Sequence, residues 1–119
     1  MMHKQFVRHF MVFILFILSI GAANAGDPMK GSQLYENHCS GCHGLNGSPQ
    51  VVGVPNFTMG QGLMKSDQEL LSFIKKGKTV MPAFNGVLSD EEILNIIAHI
   101  RCIKRRFNQS LVLRYFSIE

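Results

Sequence analysis

Five residues, Cys39-Ser40-Gly41-Cys42-His43, constrain this chain more than any others. Two cysteines with two residues between them, and a histidine directly after the second, have the spacing of c-type haem attachment. Both thiols can add across the two vinyl groups of the porphyrin while the imidazole reaches the iron. The porphyrin then supplies a large part of a small domain's core. A pattern this short also arises by chance, so the rest of the chain has to support it.

Residues 1–25 differ from the remainder of the chain. His3, Lys4, Arg8 and His9 precede an apolar run from Phe10 to Leu18, and Ala22-Ala23-Asn24-Ala25 closes the segment. A basic start, a short apolar stretch and an A-x-A exit describe a secretory signal peptide, expected to be cleaved after Ala25. The alternative is a retained anchor on the periplasmic face of the inner membrane. The apolar run is short for that, since a bilayer takes roughly 18–20 residues to span. Export to the periplasm agrees with the motif, because bacteria attach haem outside the cytoplasm.

Cleavage leaves 94 of the 119 residues, enough for one small domain. Two of its three cysteines go to haem, which excludes a disulfide framework and leaves Cys102 either buried or open to an intermolecular bridge. Residues 26–100 carry five lysines against seven acidic groups, whereas residues 101–119 carry five Lys or Arg against Glu119. The basic balance of the whole chain therefore belongs to its two ends, and it is no argument for nucleic-acid binding.

Three stretches read as helices. Asp27 caps the first, with Pro28 at its first position, and that helix runs through Leu34 and Tyr35 to the cysteines. Ser66-Asp67-Gln68-Glu69 spells a capping box ahead of Leu70, Leu71, Phe73 and Ile74, and Gly77 sits at the stop. Ser89-Asp90-Glu91-Glu92 repeats the spelling, and Ile93, Ile96, Ile97 and Ile100 mark one apolar face. Between the first two helices, Gly44 to Gly62 is rich in Gly, Pro, Asn and Ser. A loop of that length in a compact domain usually wraps something, and haem is the evident candidate. Tyr35, Phe57, Phe73 and Phe84 are most simply core.

A haem iron held by His43 takes methionine or histidine as its other axial ligand. Met59, Met64 and Met81 follow the motif, and His38 and His99 are the histidine alternatives. Met64 stands just before a helix cap, where packing is the expected role. His38 abuts Cys39 on the side of His43 and is read as a surface or haem-edge residue. Met81 lies in an irregular segment braced by Pro82, well placed to present its sulfur rigidly. The expected metal ligands are therefore His43 and Met81. With both axial positions filled by the chain, the protein passes electrons and is no enzyme; a peroxidase-like activity would need Met81 to be displaced.

The residues Cys39–His43, Val54-Pro55-Asn56-Phe57, Met81-Pro82-Ala83-Phe84 and Leu88-Ser89-Asp90-Glu91-Glu92 resemble the class I cytochromes c, over about Gly26 to Ile103. The resemblance implies an all-α fold, with three main helices and long loops around one covalently attached haem c. It also implies that Pro55 offers its carbonyl to the N–H of His43, and that Met81 is the distal ligand. In that family the first and last helices cross through a small residue and aromatics. Gly31 and Tyr35 fit, but His99 stands where the last helix usually has its aromatic. Pro55 to Arg101 looks more specifically like the small cytochromes c associated with cytochrome-cd nitrite reductase systems in denitrifiers, as electron donors or maturation helpers. The partners expected are then transient redox proteins, met by a monomer, with Lys75, Lys76 and Lys78 steering an acidic face; a haem-bearing subunit or maturation factor docked to one reductase is the alternative.

Residues 104–119 extend past the family's usual end and read as an irregular extension. Lys104-Arg105-Arg106 followed by Leu111-Val112-Leu113 and Tyr115-Phe116 also suits contact with a membrane surface or a partner. A remote alternative for the whole chain is a structural zinc module in which Cys39, Cys42, His99 and Cys102 complete a tetrahedral site.

Overall fold

Asp27 opens the first helix as its sequence requires. Its Oδ1 accepts from the backbone N–H of Met29 at 2.8 Å and of Lys30 at 3.4 Å, and Pro28 occupies the first turn, where a missing N–H costs nothing. The computed structural model describes residues 26–117, with Gln5, Val7, His9, Phe10 and Met11. Apart from those five residues, the signal peptide and its cleavage point lie outside the described residues. Within residues 26–117, four helices come in order: α1 Pro28–His38, α2 Ser40–His43, α3 Asp67–Lys76 and α4 Asp90–Phe116. No strand forms among the described residues; two isolated bridges, Lys78 to Met81 and Asn85 to Leu88, are the nearest approach. The architecture is all-α, as expected.

Both capping boxes close. Ser66 Oγ accepts from the Glu69 N–H while Glu69 Oε2 accepts from the Ser66 N–H at 2.8 Å, and Ser89 and Glu92 do the same. These hydrogen bonds hold the carboxyls of Glu69 and Glu92 below the usual carboxylate range. On α4, Ile93, Ile96, Ile97 and Ile100 are all buried, as their spacing requires. Each such side chain contributes about 1.5–3 kcal/mol on leaving water, so this face carries much of the core.

α1 crosses α4 at backbone contact. A Cβ on Gly31 would fall inside the Asn95 carbonyl group, so only glycine lets the two helices come this close. The Asn95 side chain seals the crossing by accepting the Asp27 N–H at 2.7 Å. One turn on, Tyr35 lies against His99 with ring centroids 5.2 Å apart. The imidazole therefore takes the place of the aromatic partner. Burial, chiefly, pulls its pKa below the ordinary histidine range, and the Arg106 charge acts in the same sense.

α3 packs antiparallel to α4, fixed at both ends by charge. Lys75 Nζ lies 2.6 Å from Asp90, and Arg101 lies 2.6 Å from Asp67. Arg101 also donates to the carbonyls of Leu63 and Lys65 at 3.0 and 2.8 Å, tying the end of the long loop to the last helix. Past Ile103 the structure departs from the expected irregular extension. α4 continues as helix to Phe116, since residues 104–116 contain no glycine or proline to stop it.

Gly31→Ala is expected to cost about 1–3 kcal/mol or more through overpacking at the crossing, read as a lower denaturant midpoint. Neutral His99 contributes stability that is complete above the ordinary histidine pKa of about 6.5. That contribution is lost as pH falls through the depressed folded value, because the unfolded chain takes up the proton first. His99→Phe should flatten the fall of the melting temperature between neutral pH and about pH 5.

Candidate haem site

Cys39 separates α1 from α2. Its backbone turns to φ −123° and ψ −33°, its N–H bonds the Tyr35 carbonyl at 2.8 Å, and its own carbonyl accepts from Cys42 at 3.2 Å and His43 at 3.0 Å. This single turn puts Cys39 and Cys42 on one side of the backbone, as helical i, i+3 spacing does. Neither cysteine is in a disulfide. Cys39 packs against the core while Cys42 is exposed. Burial pushes the Cys39 thiol up to about 11, and the neighbouring Cys42 adds to the shift. Cys39 is thus a neutral thiol near neutral pH.

His43 is half-buried and sits face to face on Phe57, with centroids 4.6 Å apart and planes 10° from parallel. Burial lowers its pKa, so the ring is a neutral imidazole with a lone pair to give; the Pro55 carbonyl acts in the opposite sense, as an acceptor beside an N–H does. Nδ1 is buried without a hydrogen bond of good geometry. Leaving such a nitrogen orphaned costs about 1–3 kcal/mol. In iron-ligating histidines one nitrogen goes to the metal and the other N–H to a carbonyl, and the Pro55 carbonyl is the acceptor that acts on this ring. The residues present therefore fit the haem that the motif implies.

Phe57 is itself pinned. Its N–H donates to the Gly47 carbonyl at 2.9 Å, and Asn56 Oδ1 organises the next turn by accepting from Thr58 Oγ1 at 2.6 Å and the Thr58 N–H at 3.0 Å. A further ring contact runs from Phe57 to Tyr35, edge-on at 6.4 Å. Tyr35 in turn donates its hydroxyl to the Gly44 carbonyl at 2.8 Å in the interior. Gly44 directly follows His43, so the tyrosine holds the exit of the motif from below.

Met81 is half-buried and packs against the core cluster. Its segment is anchored on both flanks. Lys78 and Met81 exchange backbone hydrogen bonds at 3.1 and 2.9 Å, and Phe84 and Asn85 donate to the Ile74 and Lys75 carbonyls at the end of α3. Gly77 turns with φ +68°, and a Cβ there would press on the Met81–Ala83 backbone. Between them Thr79 adopts φ +54°, a region that β-branched residues rarely enter. The other methionines separate from Met81. Met64, expected to pack, is 90% exposed, and Met59 is exposed as well, because Leu63 takes the inward position of that turn.

His38 is exposed and meets Phe84 edge-on at 6.3 Å. The zinc alternative is corrected: no three His, Cys, Asp or Glu side chains converge on a metal position among the described residues. His99 is instead committed to Tyr35. Two residues that shape the site had no local signal in the sequence. Arg101 clamps a loop ending 34 residues before it, and Phe57 owes its stacking on His43 to the fold of the loop between them.

Residues 26–100 match the family model described as cytochrome c oxidase, cbb3-type, subunit III. The chain is 30% identical over 102 residues to a cytochrome c6-like protein of Nostoc sp., covering 82% of this chain and 91% of that one. It is 28% identical over 102 residues to cytochrome c6 of Thermosynechococcus vestitus, covering 83% and 91%. Over 80 residues it is 34% identical to the 1-butanol dehydrogenase (cytochrome c) of Thauera butanivorans, which takes in 65% of this chain and 11% of that protein.

Tyr35→Phe removes the one side-chain donor to the buried Gly44 carbonyl. The expected loss is about 1–2 kcal/mol, measured as a lower denaturant midpoint with an unchanged slope.

Proposed function

The chain belongs to the cytochrome c family described as cytochrome c oxidase, cbb3-type, subunit III, as a class I mono-haem member, and from that membership we propose that it is an exported single-electron carrier with His43 and Met81 as axial ligands. The observation that carries this reading is the placement of His43: directly after Cys42, stacked face to face on Phe57, with Nδ1 buried. Cys39 and Cys42 would hold the ring through two thioether bonds. When bound, the haem supplies reversible one-electron chemistry at its iron.

The chain's own residues then set the terms of transfer. Pro55 would orient the imidazole and raise its basicity if its carbonyl accepted the ring N–H turned away from the iron. Met81 offers a soft thioether from a segment anchored to α3 and Gly77, which favours ferrous iron and raises the potential. Held by both His43 and Met81, the iron would offer no open position to a substrate, and the haem would supply electron transfer without bond chemistry. Lys76 and Lys78 are exposed, while Lys75 is drawn to Asp90. The two free lysines favour an acidic redox partner and act mainly on the rate of encounter. A cytochrome-cd nitrite reductase is one acceptor to test. The leader supports export to the periplasm, and among the described residues no helix is long and apolar enough to cross a membrane.

Protein purified from the cell envelope should keep its haem through acid–acetone extraction; haem released to the solvent would overturn thioether attachment. The ferric form should show the weak red band of an iron–methionine bond. Met81→Ala should abolish that band and lower the reduction potential, whereas exposed Met64→Ala should change neither. A band that survives in Met81→Ala would remove Met81 as ligand.

A further inference from the structure

Among the described residues, the last three to four turns of α4 have no counterpart to pack on. Ile103 is the final buried residue, and every residue from Arg105 to Ser117 is exposed. At 1.5 Å per residue, residues 104–116 extend roughly 20 Å beyond the core. What this stretch displays is apolar: Phe107, Leu111, Val112, Leu113, Tyr115 and Phe116 are between 40% and 69% exposed.

We propose that this segment is a membrane-docking helix that seats the protein on an anionic lipid surface. Two features select a bilayer over a second helix or a protein groove. Leu111, Val112, Leu113, Tyr115 and Phe116 are nearly consecutive, so at 100° per residue they spread over an arc of about 200° of the last turn and a half, with Arg114 on the remaining side. A partner helix buries a single stripe recurring at three- and four-residue steps, and it would leave half of these side chains in water. The acyl boundary of a membrane covers them all. The second feature is charge. Lys104, Arg105 and Arg106 form a basic collar one to two turns behind the apolar end, and Arg114 is the one charge within it. Such a collar meets lipid phosphates while the apolar end enters, and a long arginine side chain reaches back to the headgroups.

The spacing agrees with this placement. Residues 111–116 cover about 9 Å along the helix, against roughly 30 Å for a bilayer's hydrocarbon core. The segment is far too short to span, which makes the attachment peripheral and sensitive to salt.

Holoprotein from the cell envelope tests this by co-sedimentation with vesicles of phosphatidylglycerol mixed into phosphatidylcholine, compared with phosphatidylcholine alone. Binding to the anionic vesicles should be at least about tenfold stronger at low salt and should fall as salt is raised. The combined change Leu111→Asn, Leu113→Asn and Phe116→Asn should reduce it to background. Lys104→Gln, Arg105→Gln and Arg106→Gln together should erase the preference for anionic lipid. Both variants should keep the parent haem spectrum, since none of the substituted side chains belongs to the core cluster. Three results overturn the proposal: no sedimentation of the parent, undiminished binding by the apolar variant, or a parent dimer that this variant converts to monomer.

Discussion

The distance between α1 and α4 is set by a peptide group and a missing side chain. Gly31 admits the Asn95 carbonyl where any Cβ would overlap it, and Asn95 then reaches across to the Asp27 N–H. From that crossing the haem-site residues are positioned in order. Tyr35 is carried onto His99, its hydroxyl holds the Gly44 carbonyl, and Gly44 ends the turn that bears His43. The rings of His99, Tyr35, Phe57 and His43 touch in succession. Packing at the helix crossing and the pose of His43 are thus one continuous contact path.

The two expected axial residues are held in different ways. His43 is fixed by a ring stack, a short helical turn and burial, all close in sequence to the cysteines. Met81 depends on tertiary contacts: the end of α3 receives the N–H groups of Phe84 and Asn85, and Gly77 lets the loop lie against it. Thr79 holds a backbone conformation that costs of order 1–3 kcal/mol. The strain sits two residues from the methionine, so the segment on the Met81 side is the one with energy to release.

Local rules read correctly wherever local physics decides. The capping spellings at Ser66 and Ser89, the proline-led start at Asp27 and the isoleucine face of α4 depend only on near neighbours and the helical period, and all four appear in the fold. The cysteine-histidine spacing likewise needs just one turn. Contacts across many residues left no pattern in the sequence. Arg101 is one basic residue in a basic stretch until the fold brings Asp67, Leu63 and Lys65 to it. Methionines usually fill gaps, which points Met64 inward, yet Leu63 claims that side. The family resemblance stops near Ile103, which suggests an irregular tail, although the helix propensity there is uninterrupted.

A single unbroken α4 joins the crossing with α1 to the exposed end. Because Arg101 pairs with Asp67 and Lys75 with Asp90, α3 runs back along α4, and the Met81 loop lies near its first turn. About 14 residues, or roughly 21 Å of helix, separate that turn from Lys104. α4 is therefore a strut and not a string. A surface that gripped its far end would fix the tilt of the whole haem domain, hold the Met81 edge outward, and confine the search for a redox partner to two dimensions at constant orientation.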